Sequence, residues 1–299
     1  MSGRSEHLEA RGLVFHVNRW GADGAPAIVV LHGWGDCGAT FAPLAECWAE
    51  HGPVAAPDMR GFGGTQHAGG TDYLFPEYIP DLDAILDRLA PNGPIVLVGH
   101  SMGAQIASLY AGIRPERVSH LVLLDGLHLP DSDPDRAPKR YRQWLHQLAQ
   151  PPEIKRYGDF DELAARIRRQ HPKLDAQRAD AIARAWGEAD GDGVRLRMDP
   201  VHRRRGPLLY RAAESMAIWR EITAPVLFVD GGASPFPDAI DAAERTRRRE
   251  CFADHSVVTI PDTGHMLHFE APDATAAAVT RWLHAQGAPA AAAHGTDAA

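Results

Sequence analysis

Ser101 is the apex of Gly99-His100-Ser101-Met102-Gly103, between an apolar run, Pro94-Ile95-Val96-Leu97-Val98, and a helical pattern that begins at Met102. Strand, abrupt turn and helix in that order hold the apical residue in a strained conformation. Small neighbours two residues away let strand and helix pass close together. The turn lifts the Ser101 hydroxyl clear of the sheet, and the NH of Met102 points into a helix start, where an oxyanion is stabilised. A serine hydroxyl is a poor nucleophile at neutral pH. It needs a base within hydrogen-bond reach, and that base needs a partner to fix its tautomer and stabilise its cation. The chemistry in view is acyl transfer.

The elements that must position such a hydroxyl follow from the chain order. Residues Leu8 to Trp20 alternate apolar and polar, as a half-buried antiparallel strand would. Ala27 to Leu31 and Val54 to Pro57 are continuous apolar runs, as expected of strands covered on both faces of a parallel sheet. Tyr78 to Leu89 places Ile79, Leu82, Ile85, Leu86 and Leu89 on one helical face. Ala104 to Ile113 continues the helix after Ser101, Pro115 stops it, and Val118 to Leu124 is the next strand, closed by Asp125-Gly126. Between Leu127 and Glu221 the strand–helix alternation stops, and helical patterns run over 141–148, 163–170 and 175–186. The sheet resumes at Pro225 to Val229, followed by a helix to Arg249, a last strand from His255 to Ile260 and a final helix from Ala276 to Ala285. The fold class is α/β.

The 299 residues suffice for one large core with an insertion. A formal charge of −8 argues against a general nucleic-acid binder. Cys37, Cys47 and Cys251 are odd in number and widely spaced, which suits reduced thiols in a cytoplasmic protein. The N-terminus lacks an apolar signal core, and no run approaches the length of a membrane span. The alanine-rich end, 288–299, reads as a disordered tail.

With its strand and helix in place, the turn at Ser101 resembles the nucleophile elbow of the α/β-hydrolase fold superfamily. His32-Gly33-Trp34-Gly35 resembles the oxyanion loop of that family, which implies that the backbone NH of Trp34 is the second donor beside that of Met102. His32 itself reads as a brace for the loop. Asp58-Met59-Arg60-Gly61-Phe62-Gly63 resembles another family loop, with Asp58 and Arg60 fastening it to itself. Pro261-Asp262-Thr263-Gly264-His265-Met266-Leu267-His268 resembles the histidine loop, with His265 as base and His268 as its nearest rival.

The acid departs from the commonest family pattern. In most relatives it follows the seventh strand, and the matching place here falls near Ser234, flanked by Asp230 and Asp238. Some members, including a group of haloalkane dehalogenases, carry the acid at the end of the sixth strand. The run Pro115-Glu116-Arg117-Val118 with Leu124-Asp125 resembles theirs in register. We take Asp125 as the acid, with Asp230 as the alternative.

The resemblance implies a mostly parallel eight-stranded sheet flanked by helices, with a helical cap inserted after strand six. Its parts would be a core of 1–126 and 222–287, a cap of 127–221, and the tail. The Met198-Asp199-Pro200 segment is also similar to a serine-hydrolase-like group. The expected function is hydrolysis of a small carboxylic ester through an acyl-enzyme on Ser101, with no metal or organic cofactor, by a monomer or homodimer. Three other reactions would use the same triad: carbon–carbon bond hydrolysis, lactone opening and perhydrolysis. A non-catalytic binding protein on this fold is the remaining alternative.

Overall fold

A computed structural model of the chain describes residues 3–69, 72–150 and 152–288. The chain enters as a hairpin of β1 (Arg4–Ala10) and β2 (Leu13–Trp20). The single strand expected over Leu8 to Trp20 is therefore two. Arg11 (φ 48°) and Gly12 (φ 76°) are both left-handed, the requirement of a tight turn whose twist matches that of its flanking strands.

Next come β3 (Ile28–Leu31), α1 (Ala42–Trp48), β4 (Val54–Pro57), α2 (Tyr78–Leu89), β5 (Ile95–His100), α3 (Met102–Ile113) and β6 (Val118–Leu124). The chain then leaves the sheet for α4 (Ala137–Ala149), β7 (Arg156–Tyr157), α5 (Phe160–Gln170), α6 (Ala176–Trp186), β8 (Gly187–Asp190), β9 (Gly193–Leu196) and α7 (Ala212–Trp219). It returns with β10 (Val226–Gly231), α8 (Ala242–Arg249), β11 (His255–Ile260), α9 (Leu267–Glu270) and α10 (Pro272–Ala285).

Eight of these strands form one sheet in the order β1-β2-β4-β3-β5-β6-β10-β11. β2 pairs antiparallel with β1 and with β4, and the other pairings are parallel. This is the mostly parallel eight-stranded sheet expected. Its strands read as unbroken apolar runs because both faces are covered. On β3, Val29 and Leu31 pack in one core with Leu82 of α2 and Ile106 and Tyr110 of α3. Ile28 and Val30 point the other way, into a second core with Leu44 and Trp48 of α1 and Val279 of α10. Each such side chain, fully buried, contributes about 1.5–3 kcal/mol.

The excursion between β6 and β10 holds helices at the three expected places and also a three-stranded antiparallel sheet, β7-β9-β8, that the helical reading omitted. Gly191 (φ 64°), in Asp190-Gly191-Asp192-Gly193, turns β8 into β9. Leu163 and Ile167 of α5, Ile182 and Ala183 of α6 and Val194 of β9 form a separate small core, which Phe269 of α9 completes. The excursion is pinned to the loop after β4 by a bridge between Phe62 and Met198 and by Tyr73 Oη donating to Asp199 at 2.7 Å. Arg204 of the excursion is a largely buried partner of Asp72 at 2.5 Å.

Among the described residues no helix is long and apolar enough to cross a membrane. Cys37, Cys47 and Cys251 are unpaired. Of the segment read as a tail, Ala288 packs on the second core, and 289–299 lie outside the described residues.

Candidate active site

Ser101 follows β5 directly, with φ 52° and ψ −112°, a conformation that costs a non-glycine residue about 1–3 kcal/mol. Tight packing enforces it. A side chain at Gly99 would run into the Gly103 carbonyl, and one at Gly103 into the Leu31 carbonyl. The Ser101 NH donates to Leu124 O of β6 at 3.1 Å, and its carbonyl accepts from Ala104 and Gln105 as α3 begins. Met102 is the first residue of α3, so its NH faces no carbonyl of its own helix.

Asp125 stands at the neighbouring strand end, after β6, with its NH on Val229 O at 2.9 Å. It too has positive φ, 42°. The residue is 1 % exposed, and a buried carboxylate must be met by donors. Three are in place: the Gly231 NH on Oδ1 at 3.2 Å, the Ser234 hydroxyl on Oδ2 at 2.5 Å, and His265 Nδ1 on Oδ2 at 2.5 Å. With Nδ1–H given to the carboxylate, His265 Nε2 carries the lone pair. The His265 carbonyl is held in turn by His100, whose Nε2 donates to it at 2.8 Å. Burial pushes the His100 pKa well below the usual value, so the ring stays neutral and keeps one N–H for this bond.

Ser101, Met102, Trp34, Asp125 and His265 all line one cavity of about 420 Å³. Asp230 is not among its walls. Asp230 accepts from Arg249 Nη2 at 2.6 Å in a half-buried ion pair. His268 is fully buried and bonds Asp36 at 3.0 Å, away from those walls. A second cavity, of about 530 Å³, shares Trp34, Phe236 and His265 with the first and adds Trp186, His171 and Lys173 from the excursion.

His32 is a brace: it accepts from the Met59 NH at 2.8 Å through Nε2 and meets Gly33 O at 2.7 Å through Nδ1. Asp58 ties its loop both to Gly64 within it and to Gly38 outside it. Arg60 differs from expectation, reaching the buried Asp81 of α2 instead of its own loop.

Two networks behind the site carried no sequence signal. Asp36, just after the Trp34 loop, accepts from Thr40, from Trp186 of α6 and from His268. Burial alone would raise its pKa, but the hydrogen bond and charge of His268 outweigh it and hold Asp36 well below the usual carboxylate range. Glu270 joins the Gly264 NH to His171 of the excursion, both at 2.7 Å. Burial works against its charge, yet His171 and the Gly264 NH together hold its pKa down. Neither network follows from a motif, since Asp36 lies 150 and 232 positions from Trp186 and His268, and Glu270 lies 99 from His171.

Among the described residues, two trios have atoms of metal-ligating type within 4.8 Å of one another: Asp125, His128 and Asp230, and Asp36, His100 and His268. Each carboxylate in them already accepts hydrogen bonds from the protein, which leaves the trios poorly suited to a cation.

The chain matches the family profile described as alpha/beta hydrolase fold over residues 26–272. It is 25% identical to a serine hydrolase-like protein of Danio rerio over 290 residues, covering 93% of this chain and 86% of that one. It is 37% identical to the lipase LipV of Mycobacterium tuberculosis over 110 residues, 37% of this chain and 41% of that one. Among solved structures, the thioesterase domain from the curacin biosynthetic pathway superposes with a TM-score of 0.84 at 24% identity, covering 94% of this chain and 100% of that one. The strand order, the strained serine between β5 and α3, and a profile match spanning most of the sequence agree: the chain belongs to the alpha/beta hydrolase fold family.

Proposed function

We propose that this chain is a carboxylic-ester hydrolase that works through an acyl-enzyme on Ser101. The observation that carries the reading is the 2.5 Å contact between His265 Nδ1 and the buried Asp125 carboxylate, on the wall of the cavity that also holds Ser101. In this reading His265 Nε2 takes the Ser101 proton as Oγ attacks the ester carbonyl. Asp125 keeps Nδ1–H in place and stabilises the imidazolium. The NH groups of Trp34 and Met102 receive the oxyanion, a contribution of several kcal/mol by the scale of oxyanion-donor deletions. The intermediate collapses, and His265 returns the proton to the departing alcohol. Water then repeats the sequence and frees the acid and Ser101.

Residues 127–221 act as a cap over the site, between core segments 1–126 and 222–287; Trp186 and His171 in the adjoining cavity support that role. Ester chemistry also accords with a relative whose name is lipase.

The test is labelling by a fluorophosphonate, together with hydrolysis of p-nitrophenyl esters graded in acyl length. Wild-type protein should be labelled and active. Ser101→Ala should lose the label and at least about 10³-fold of the turnover. Folded wild-type protein that resists the label would overturn the reading.

A further inference from the structure

Beside Trp34 lies a third cavity, of about 430 Å³, most of whose walls come from the excursion. Ile167 of α5, Leu196 of β9 and Met198 give it apolar sides that can cover a hydrocarbon chain. Its charges are of one sign. Lys155, Arg166 and Arg203 border it, and among the described walls no aspartate or glutamate does, in a chain whose formal charge is −8. The 530 Å³ cavity, by contrast, sets Lys173 beside Asp262 and Glu270, and the cavity at Ser101 has Asp125 and no lysine or arginine.

One of the three cations is answered and two are not. Lys155 meets Glu162 at 3.4 Å in a solvent-exposed pair. Arg166 is half-buried, with its guanidinium carbon 5.6 Å from the centre of the Tyr157 ring. Arg203 gives one N–H to the Glu153 carbonyl at 3.1 Å. Among the described residues neither arginine has a carboxylate partner. Lys155 Nζ lies 4.8 Å from the same ring centre as Arg166, so two like charges stand close together. A guanidinium partly withdrawn from water, beside another cation and without a counter-ion, is stabilised by an entering anion. Its planar fork matches carboxylate and phosphate.

The route to these cations starts at the imidazole. The departing alcohol must lie against His265 to collect its proton. The 530 Å³ cavity contains His265 but not Ser101, and it shares Trp34, Gly35, Gln170 and Trp186 with the cationic one. The cavity at Ser101 shares only Trp34 with it. A chain that leads away from the alcohol oxygen therefore reaches the cations, while the acyl chain stays beside Ser101.

We infer that the third cavity is a subsite for an oxyanion, carboxylate or phosphate, carried at the far end of the substrate's alcohol portion on an apolar spacer and bound by Arg166 and Arg203. This deepens the ester-hydrolase reading and rests on Ser101 being the nucleophile.

The experiment compares kcat/KM for the butyrate esters of 6-hydroxyhexanoate and 10-hydroxydecanoate, each against its uncharged primary amide. The butyrate esters of 6-hydroxyhexyl phosphate and 6-hydroxyhexyl-trimethylammonium are the phosphate and cationic arms. At least one anionic ester should exceed the amide about tenfold or more, the scale of a charge-assisted hydrogen bond, and the cationic ester should fall below it. The larger gain tells carboxylate from phosphate. Arg166→Gln and Arg203→Gln should each cut the ratio and together bring it to about 1. Arg166→Glu should turn it toward the cation. Each ratio is read within one protein, so a general loss of activity cancels, and the exposed Arg203 gives a second reading should Arg166→Gln fail to fold. Monobutyl adipate, with its carboxylate on the acyl side, should gain less over its amide than the hydroxyhexanoate ester does. No anion preference, a lead for the cation, a ratio that survives the double substitution, or a larger gain on the acyl side would overturn the inference. Protein that takes the fluorophosphonate label and cleaves esters without an anion preference sinks this inference alone. Protein that does neither sinks the nucleophile reading, and this inference with it.

Discussion

Every residue of β3, β4 and β5 is buried, whereas no residue of α4 is, and β8 and β9 each bury only one of their four. The sheet draws on two large cores, one on each face. The excursion has one small core of its own, which borrows Phe269 from outside itself, and it reaches the first large core through Met198, Met216 and Trp219. Ser101 and Asp125 are mounted on the better-packed region, at the ends of adjacent parallel strands. The walls of the larger adjoining cavity come partly from the other. A group that must hold a proton in a fixed geometry gains from a rigid mount, while a wall that admits a ligand gains from a looser one.

That contrast can be broken most directly at the carboxylates. Asp125→Asn should lower kcat by about 10⁴-fold, the effect of removing a triad acid, with little change in melting temperature. Asp230→Asn, which disturbs only the pair with Arg249, should cost less than about tenfold in kcat. Steady-state kinetics on the two variants decide it, and a reversal would move the acid to β10.

Packing is the next lever. Leu97→Ala, on the fully buried β5, should cost about 2–5 kcal/mol in denaturant unfolding of the whole chain. Leu163→Ala removes as much side chain from the excursion's core. Its effect should appear first as faster amide exchange over 160–196, with a smaller shift of the main unfolding transition. Equal exchange throughout the chain would erase the distinction between the regions.

The smallest effect concerns pH at the junction. His202 is stacked between Phe62 and Tyr73 and donates to the Arg60 carbonyl at 3.0 Å. Burial takes its pKa down to about 3, against the smaller opposing pull of that carbonyl and Asp199. Between that value and the ordinary 6.5 the unfolded chain binds a proton that the folded one refuses. Stability is therefore complete above about pH 6.5 and declines as the pH falls toward 3. His202 alone should account for about 2 kcal/mol of the loss from pH 7 to 5, read by urea unfolding, beside the share of the other buried histidines, His100 and His128. His202→Phe should flatten that part of the curve, and an unchanged slope would place the acid sensitivity elsewhere.

The sheet was legible because burial on both faces leaves unbroken apolar runs, and Val118 to Leu124 is a strand with the bounds expected. Tyr78 to Leu89 was equally plain, since one face of the helix repeats every three to four residues. The hairpin at Arg11-Gly12 and the turn at Gly191 were missed, although each glycine marked a left-handed position. A periodicity reading gave them no weight beside longer patterns. In the site, Ser101 stands where its motif predicts, and His265 lies beside the aspartate chosen for it. The Asp36 network stayed hidden because nothing in the sequence links Asp36 to Trp186 across 150 positions.

Ser234 lies three residues after β10, and its hydroxyl donates to the aspartate that follows β6. Under the proposed assignment, the segment that follows carries no charge needed for turnover. It does carry Phe236, whose ring lies 4.0 Å from that of His265. Residues 235–240 are thus open to grafting: an exchanged segment can recut the doorway to the imidazole while the proton relay stays intact, provided the hydroxyl at 234 is kept.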